Sequence, residues 1–520
     1  MTHQATQPWW KEGVIYQIYP RSFMDSTGDG IGDLEGIRQR LPHLVDLGVD
    51  AIWISPIFPS PMKDAGYDVA DYCDIDPLFG SLEDFERLSA AVKDAGLKLL
   101  LDFVPSHSSD QHPWFLEARQ SRDADKRDWY IWRDPLPDGS PPTNWISEFA
   151  GSTWTFHPET GQYYLHVFLP EQPALNWRNP ELRAAMYDVM RFWFDRGVDG
   201  FRVDALENLM PNPDLGDNPP NPDWVESMGP ARSHLPVNIK HQPEILAAGR
   251  DMRSVANEYD PERLLVGEIY GTTEQLMKYY GENHDAFQLP FNFLLIEAVW
   301  QAEPLAGMIR AYEAALPEGA WPNWVLGNHD RPRIASRIGA GRARLAAMLL
   351  LTLRGTPTMY QGDELGMENV PIPPEAVQDP WERNVPGQGL GRDPVRTPIA
   401  WETGPGAGFT TGTPWLPIDP RPEVAVETQQ ADPHSMLAFH KALLALRKRE
   451  KALTLGDLTG VDATGEVLHY RRTHQGRTLA VALNLGETAA PCPGTGDCLI
   501  STHGTTTGDL APGEGRVLAQ

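Results

Sequence analysis

Gly200-Phe201-Arg202-Val203-Asp204-Ala205 decides how this chain reads. It follows a run with helical periodicity, Asn179 to Arg196, and its β-formers close on a charged residue, so a short buried strand ends at Asp204. A helix feeding a strand that stops on a carboxylate is the repeat of a parallel α/β fold, with the carboxylate at the C-terminal lip where such folds keep their chemistry. Arg202, two residues earlier and on the same strand face, is expected to hold Asp204 ionised by its opposite charge. Alone, an Arg-x-Asp pair is commonly structural, so the residues at the other strand ends decide its meaning.

Upstream, Val14–Tyr19, Asp50–Ser55 and Leu97–Val104 read as strands. Between them lie helical runs, Leu34–Leu47 and Leu82–Ala95, stopped at Gly48 and Gly96. Downstream, Arg263–Glu268, Asn323–Asn328 and Thr356–Tyr360 take the fifth, seventh and eighth places, and the sixth is left unassigned. The expected fold is an α/β (β/α)8 TIM barrel over 1–104 and 176–452, with an inserted subdomain over 105–175 after the third strand. The clearest strand of the insert is Tyr163–Phe168. A Pro/Asn-rich excursion, Pro211 to Pro243, hangs from the strand that ends at Asp204. Alternating runs at Val467–Arg472 and Thr478–Leu485 predict a C-terminal antiparallel β-sandwich over 453–520.

Composition narrows the function. With 71 acidic and 44 basic residues the net charge is −27 over 520 residues, and there is no long Lys/Arg run, so nucleic-acid and membrane partners are disfavoured. Three cysteines, Cys73, Cys492 and Cys498, make no disulfide framework or thiolate cluster and point to a reducing compartment. Met1 to Lys11 lacks a secretory pattern and no apolar run is long enough to span a bilayer, so a cytoplasmic location is expected.

Four strand ends carry reactive groups: Asp102 with His107, Arg202 with Asp204, Glu268, and His329 with Asp330. Three carboxylates without basic phosphate loops suit glycosidic bond cleavage, in which a nucleophile and an acid stand roughly 5 Å apart in retaining enzymes. Asp204, Glu268 and Asp330 can divide these roles, and repulsion among them is expected to keep Glu268 protonated. Asp102 is expected to be structural. Separately, Asp25, Thr27, Asp29, Ile31 and Asp33 match the first nine positions of a calcium loop, with Gly36 where its final Glu would stand, which suggests a structural Ca²⁺ or Mg²⁺.

The motifs Asp102-Phe-Val-Pro-Ser-His107, Gly200-Phe-Arg-Val-Asp204, Gly267-Glu268, Asn328-His-Asp330 and Gly355-Thr-Pro-Thr-Met-Tyr-Gln-Gly-Asp-Glu364 occur in order across nearly the whole chain. Together they resemble the α-amylase superfamily, and within it the bacterial α-glucosidase and oligo-1,6-glucosidase branch. The resemblance implies a retaining mechanism with Asp204 as nucleophile, Glu268 as general acid/base and Asp330 as transition-state stabiliser. It implies that Asp64, Tyr67, His107, Arg202 and His329 bind a nonreducing-end glucose, that Phe149 and Phe168 wall the cleavage point, and that Arg392 or Arg396 contacts substrate. It also implies a divalent cation on the Asp25 loop, where Thr27 replaces the commoner Asn. Ala174 and Ser106 depart from residues usual in the family. The small Ala205 after the nucleophile resembles α-1,4-acting rather than α-1,6-acting enzymes. The expected activity is exo-acting release of α-glucose from short α-glucosides, with transglucosylation as a competing outcome and the oligomeric state left open. The alternatives are an oligo-1,6-glucosidase, or a trehalose synthase, sucrose isomerase or α-glucosyltransferase of the same family. A non-catalytic transporter-associated ectodomain is the alternative of another class.

Overall fold

A computed structural model describes residues 7–520. Eight parallel strands close into a barrel: β1 Ile15–Ile18, β2 Ala51–Ile54, β3 Lys98–Phe103, β7 Gly200–Val203, β8 Leu264–Gly267, β9 Leu289–Asn292, β10 Asn323–Val325 and β11 Thr356–Tyr360, numbered with the insert's strands β4–β6 given below. Their order, β1-β11-β10-β9-β8-β7-β3-β2, is that of a (β/α)8 barrel. The strands are short and buried on both faces, as parallel strands covered by helices must be. The unassigned sixth strand is β9, Leu-Pro-Phe-Asn. Its Pro290 pairs with Gly267 at the strand start, and a proline in so short a run hides the strand signal.

The helices start where the caps dictate. Asp33 accepts from Gly36 N–H to open Leu34–Leu47, Ser81 and Asp84 form a reciprocal capping box for Leu82–Asp94, and Asn179 accepts from Glu181 and Leu182 to open Pro180–Phe194. Gly48 ends the first of these at φ 94°, where a side chain would be strained.

Between β3 and the helix Pro180–Phe194 the insert forms a three-stranded antiparallel sheet, β4 Trp132–Arg133, β5 Trp154–His157 and β6 Gln162–Leu165, in the order β4-β6-β5. β6 stops at Leu165, short of the expected Phe168, because His166 turns to pair with Pro173 and so hands Phe168 to the barrel mouth. The excursion over 211–243 holds two short 3-10 turns, Glu226–Met228 and Pro230–Arg232.

The C-terminal unit is a single five-stranded antiparallel sheet and not the expected sandwich. Its strands are β12 Asp457–Thr464, β13 Val467–His474, β14 Arg477–Asn484, β15 Asp497–Ser501 and β16 Gly515–Ala519, ordered β12-β13-β14-β16-β15. Its apolar face packs on barrel helices, including Ala302–Ala315 and Ala343–Thr352, so helices supply the second layer that a sandwich would take from another sheet. Arg472 donates to Thr352 O at 2.6 Å across this seam. No helix among the described residues is long and apolar enough to cross a membrane.

Register, not proximity in sequence, assembles the barrel mouth. Asp102 pairs with Arg202, Arg202 with Val266, and Val203 with Gly267, so Asp204 and Glu268 emerge at the same height on adjacent strands. Gly200 permits this spacing, since a Cβ there would lie 2.4 Å from Leu264 O. Gly200→Ala is therefore expected to cost about 1–3 kcal/mol. This would be read as a lower unfolding midpoint together with reduced turnover in the soluble fraction, and an unchanged midpoint would refute it.

Candidate active site

The floor of the barrel mouth is built on one buried guanidinium. Arg202 Nη1 lies 2.5 Å from Asp102 Oδ1 and 2.6 Å from Asp204 Oδ1, while Nη2 lies 2.6 Å from Glu268 Oε2. Three carboxylates from three strands thus share one positive charge. Asp102 does not line the catalytic pocket; its Oδ2 accepts from Trp53 Nε1 at 3.0 Å and Tyr67 OH at 3.2 Å, so it positions Arg202 and Tyr67. Asp204 and Glu268 face the pocket. Glu268 also accepts Ala205 N–H at 2.8 Å. Ala205 reaches that position in a left-handed conformation, φ 43° and ψ 41°.

Burial pushes Glu268 up to about 7, with Arg202 opposing and Asp204 and Asp330 adding to the rise. Desolvation is thus the leading cause, ahead of the carboxylate repulsion expected from sequence. Asp204 also rises to about 7 by burial, while Arg202 favours its ionised form as expected from sequence, without cancelling the desolvation. Burial thus raises both adjacent carboxyls above the usual carboxylate range, with Arg202 opposing the rise in each. For Asp330 burial acts upward, yet the surrounding positive charge holds it far below the usual carboxylate range. Arg396 Nη2 at 2.8 Å and Arg392 Nη1 at 3.3 Å supply that charge. His329, 3.4 Å away, does not, because burial keeps its ring neutral.

The remaining expected residues fall into two shells. Asp64, Tyr67, His107, Phe149, Phe168, Ala205 and Arg392 line the pocket with the three carboxylates. Arg202, His329 and Arg396 lie behind it: Tyr67 OH contacts His329 Nε2 at 2.8 Å with the two rings stacked, and Arg396 Nε donates to His329 O at 2.8 Å. Of the two arginines left open by the sequence, Arg392 alone lines the pocket, bridging Asp330 to Asp64 at 2.7 Å and Asp379 at 2.6 Å. Phe149 and Phe168 stand 6.3 Å apart by ring centroids, and His107 packs on Phe168 at 5.0 Å. Burial depresses His107 to about 4, so its ring is neutral at the sugar face.

Several site residues escaped the sequence reading. Gln172 reaches Asp64 Oδ2 at 3.2 Å and His107 Nε2 at 3.1 Å; it stands two residues before Ala174, whose backbone bridges to His107. Trp381 meets Phe149 at 5.4 Å and Arg392 at 5.3 Å. Lys240 of the excursion lies 2.6 Å from Glu148 of the insert and 3.7 Å from Glu207, three residues past Asp204. No local motif announces these contacts, because most join segments distant in sequence, and the Trp381–Arg392 contact spans an irregular loop. The inner pocket, about 110 Å³, opens into an outer chamber of about 800 Å³ lined in part by Met228, Arg232, Trp381 and Leu390.

The Asp25 loop spends its carboxylates on its own chain. Asp25 accepts from Thr27, Gly28 and Gly30 N–H at 2.9, 2.7 and 2.8 Å and from Thr410 Oγ1, while Asp33 accepts from Ser26 N–H at 2.7 Å and Gly36 N–H at 2.7 Å. Asp29 accepts only from Ile31 N–H, at 2.9 Å. Among the described residues no three His, Cys, Asp or Glu side chains gather around a metal position. The loop's hydrogen bonds leave lone pairs on Asp29, and Asp25, Thr27, Asp29, Ile31 and Asp33 are the residues that would hold a Ca²⁺ or Mg²⁺ there. If the loop takes that ion, added Ca²⁺ is expected to raise the unfolding midpoint and chelator to reverse the rise, measured by differential scanning calorimetry. An unchanged midpoint would remove the ion from this loop.

Residues 17–456 match the alpha amylase catalytic domain, and 456–518 match a domain of unknown function. The chain is 43% identical over 508 residues to a probable alpha-glucosidase of Rhizobium meliloti, covering 94% of this chain and 91% of that protein. It is 40% identical to an oligo-1,6-glucosidase of Halalkalibacterium halodurans, covering 92% and 90%. The crystal structure of an alpha-glucosyl transfer enzyme superposes with a TM-score of 0.91 at 39% identity, covering 98% of this chain and 99% of that one. The trehalulose synthase of Pseudomonas mesoacidophila MX-45 superposes with a TM-score of 0.89 at 34% identity, covering 98% and 99%. With the barrel, the shared guanidinium and these matches in hand, the chain belongs to the α-amylase family of glycoside hydrolases.

Proposed function

We propose that the protein is an exo-acting retaining α-glucosidase that releases α-glucose from the nonreducing end of short α-glucosides. The observation that carries this reading is the pairing of Asp204 and Glu268 on adjacent nitrogens of Arg202, side by side under a small pocket, both raised by burial so that one can attack as a carboxylate while the other keeps its proton. A double displacement needs that state: one carboxylate to attack and one carboxyl to donate.

In this reading Asp204 attacks the anomeric carbon and Glu268 protonates the departing oxygen. A glucosyl-enzyme forms, and Glu268 then takes a proton from water, which delivers α-glucose. Asp330, held ionised by Arg392 and Arg396, lies against the sugar where positive charge develops. Asp64, Gln172, His107 and Arg392 close the far end around the terminal sugar's hydroxyls, which makes the cut exo. α-1,4 linkages are favoured on the small Ala205. The outer chamber gives a sugar or alcohol room to intercept the intermediate, so transfer competes with hydrolysis. The three cysteines, all free, are consistent with work in the cytoplasm.

Free α-glucose is expected first from maltose, followed by NMR against isomaltose, trehalose and sucrose, with Asp204→Asn as the blank. Faster release from isomaltose would overturn the linkage, and conversion of maltose mainly to trehalose would make the enzyme an isomerase. kcat/KM is expected to rise as the pair loses its first proton and to fall above about pH 7 as it loses the second. Glu268→Gln should abolish the alkaline limb and lower maltose turnover by about 10²–10⁴-fold. A retained alkaline limb would remove Glu268 from the role of acid.

A further inference from the structure

A second cleft, about 600 Å³, lies between the insert and the excursion, and none of its lining residues lines the catalytic pocket. Four arginines meet there, Arg122, Arg127, Arg133 and Arg178, with Asp128 the single acid on the wall. Two of the four are neutralised at the rim: Arg122 by Asp134 at 3.0 Å, and Arg178 by Glu244 at 2.5 Å. Arg127 and Arg133 have no carboxylate partner among the described residues. Arg127 is 9% exposed, lies 3.4 Å over the ring centroid of Trp132, and donates only to neutral oxygens of Ala118, Thr160 and Gln162. Exposed Arg133 donates only to the Trp132 carbonyl, at 2.8 Å.

The polar balance of the wall is one-sided. Arg127 Nε and Trp132 Nε1 are buried N–H groups with no acceptor. A buried charge without a counter-ion, beside unmet donors, is costly unless an anion completes the site. Burial lowers Arg127 to about 10, which leaves it cationic at neutral pH. Guanidinium groups that converge without carboxylates match the geometry of phosphate oxygens. The cleft is larger than one phosphate needs, and Ile131, Pro211, Pro213 and Leu215 add apolar surface to its lining. We propose that this cleft binds the phosphate group of a small phosphate ester, with Arg127 and Arg133 as its counter-ions and the organic part against that apolar surface.

The test is isothermal titration of the full chain with glucose 6-phosphate, inorganic phosphate and glucose in separate arms. Saturable binding of the ester is expected, tighter than that of inorganic phosphate, and weakened about tenfold or more by Arg133→Gln. Arg127 is buried and its replacement risks misfolding, so Arg122→Gln, also exposed, serves as the second variant and is expected to weaken binding in the same direction. Maltose turnover without the ester should be unchanged in Arg133→Gln. Absence of saturable ester binding, or binding that Arg133→Gln leaves intact, would overturn the site. Inorganic phosphate bound as tightly as the ester would overturn the assignment to an ester.

Discussion

The site depends on keeping one guanidinium charged and immobile inside the barrel. Arg202 is 2% exposed, and burying a cation there is tolerable only because three carboxylates surround it. The same arrangement buries three carboxylates around one positive group, and that burial, more than their mutual repulsion, raises the Asp204 and Glu268 carboxyls. Structure and chemistry share this constraint: the ion cluster that ties β3, β7 and β8 together is also the source of a carboxyl that can donate. Asp102 belongs to the structural half, since Trp53 and Tyr67 fill its second oxygen and turn it from the pocket.

A second buried charge group ties together the loops of the mouth. Lys240 comes from the excursion, Glu148 from the insert and Glu207 from the turn after Asp204, so three segments meet on one ammonium group. Glu207 Oε2 lacks a partner, and burial pushes that carboxyl up to about 7. This wall of the mouth is therefore held by long-range ion pairs, as is the wall where Arg392 bridges Asp64 and Asp330, whereas Asp204 and Glu268 are set by strand register.

This division explains what the sequence could disclose. Gly200–Ala205 was readable because a buried strand that ends in Asp leaves a local pattern, and the other barrel strands except β9 repeat it. β9 was hidden by Pro290, and the C-terminal sheet was taken for a sandwich because alternation along β13 and β14 reveals a buried face but not what covers it. Asp64, Tyr67 and Arg392 were found through motif resemblance. Gln172, Trp381 and the Lys240 group were not, since their roles arise from contacts across 60 residues or more or between inserts. The causes of the pKa shifts were misjudged for the same reason: desolvation depends on what packs above a residue, which no short motif records.

Ala205 carries a consequence for redesign. Its backbone sits at φ 43°, where Ala is already strained and a β-branched residue is a steric outlier. The amide of that strained residue is also the one that donates to Glu268. Widening or narrowing the acceptor side through position 205 is thus not a matter of side-chain volume alone: a valine there would pull against the turn that aims a hydrogen bond at the acid. The side chain at 205 and the hydrogen bond that Glu268 receives are mechanically joined through a single peptide unit, so changing one without the other requires compensating change in the Leu206–Asn208 turn.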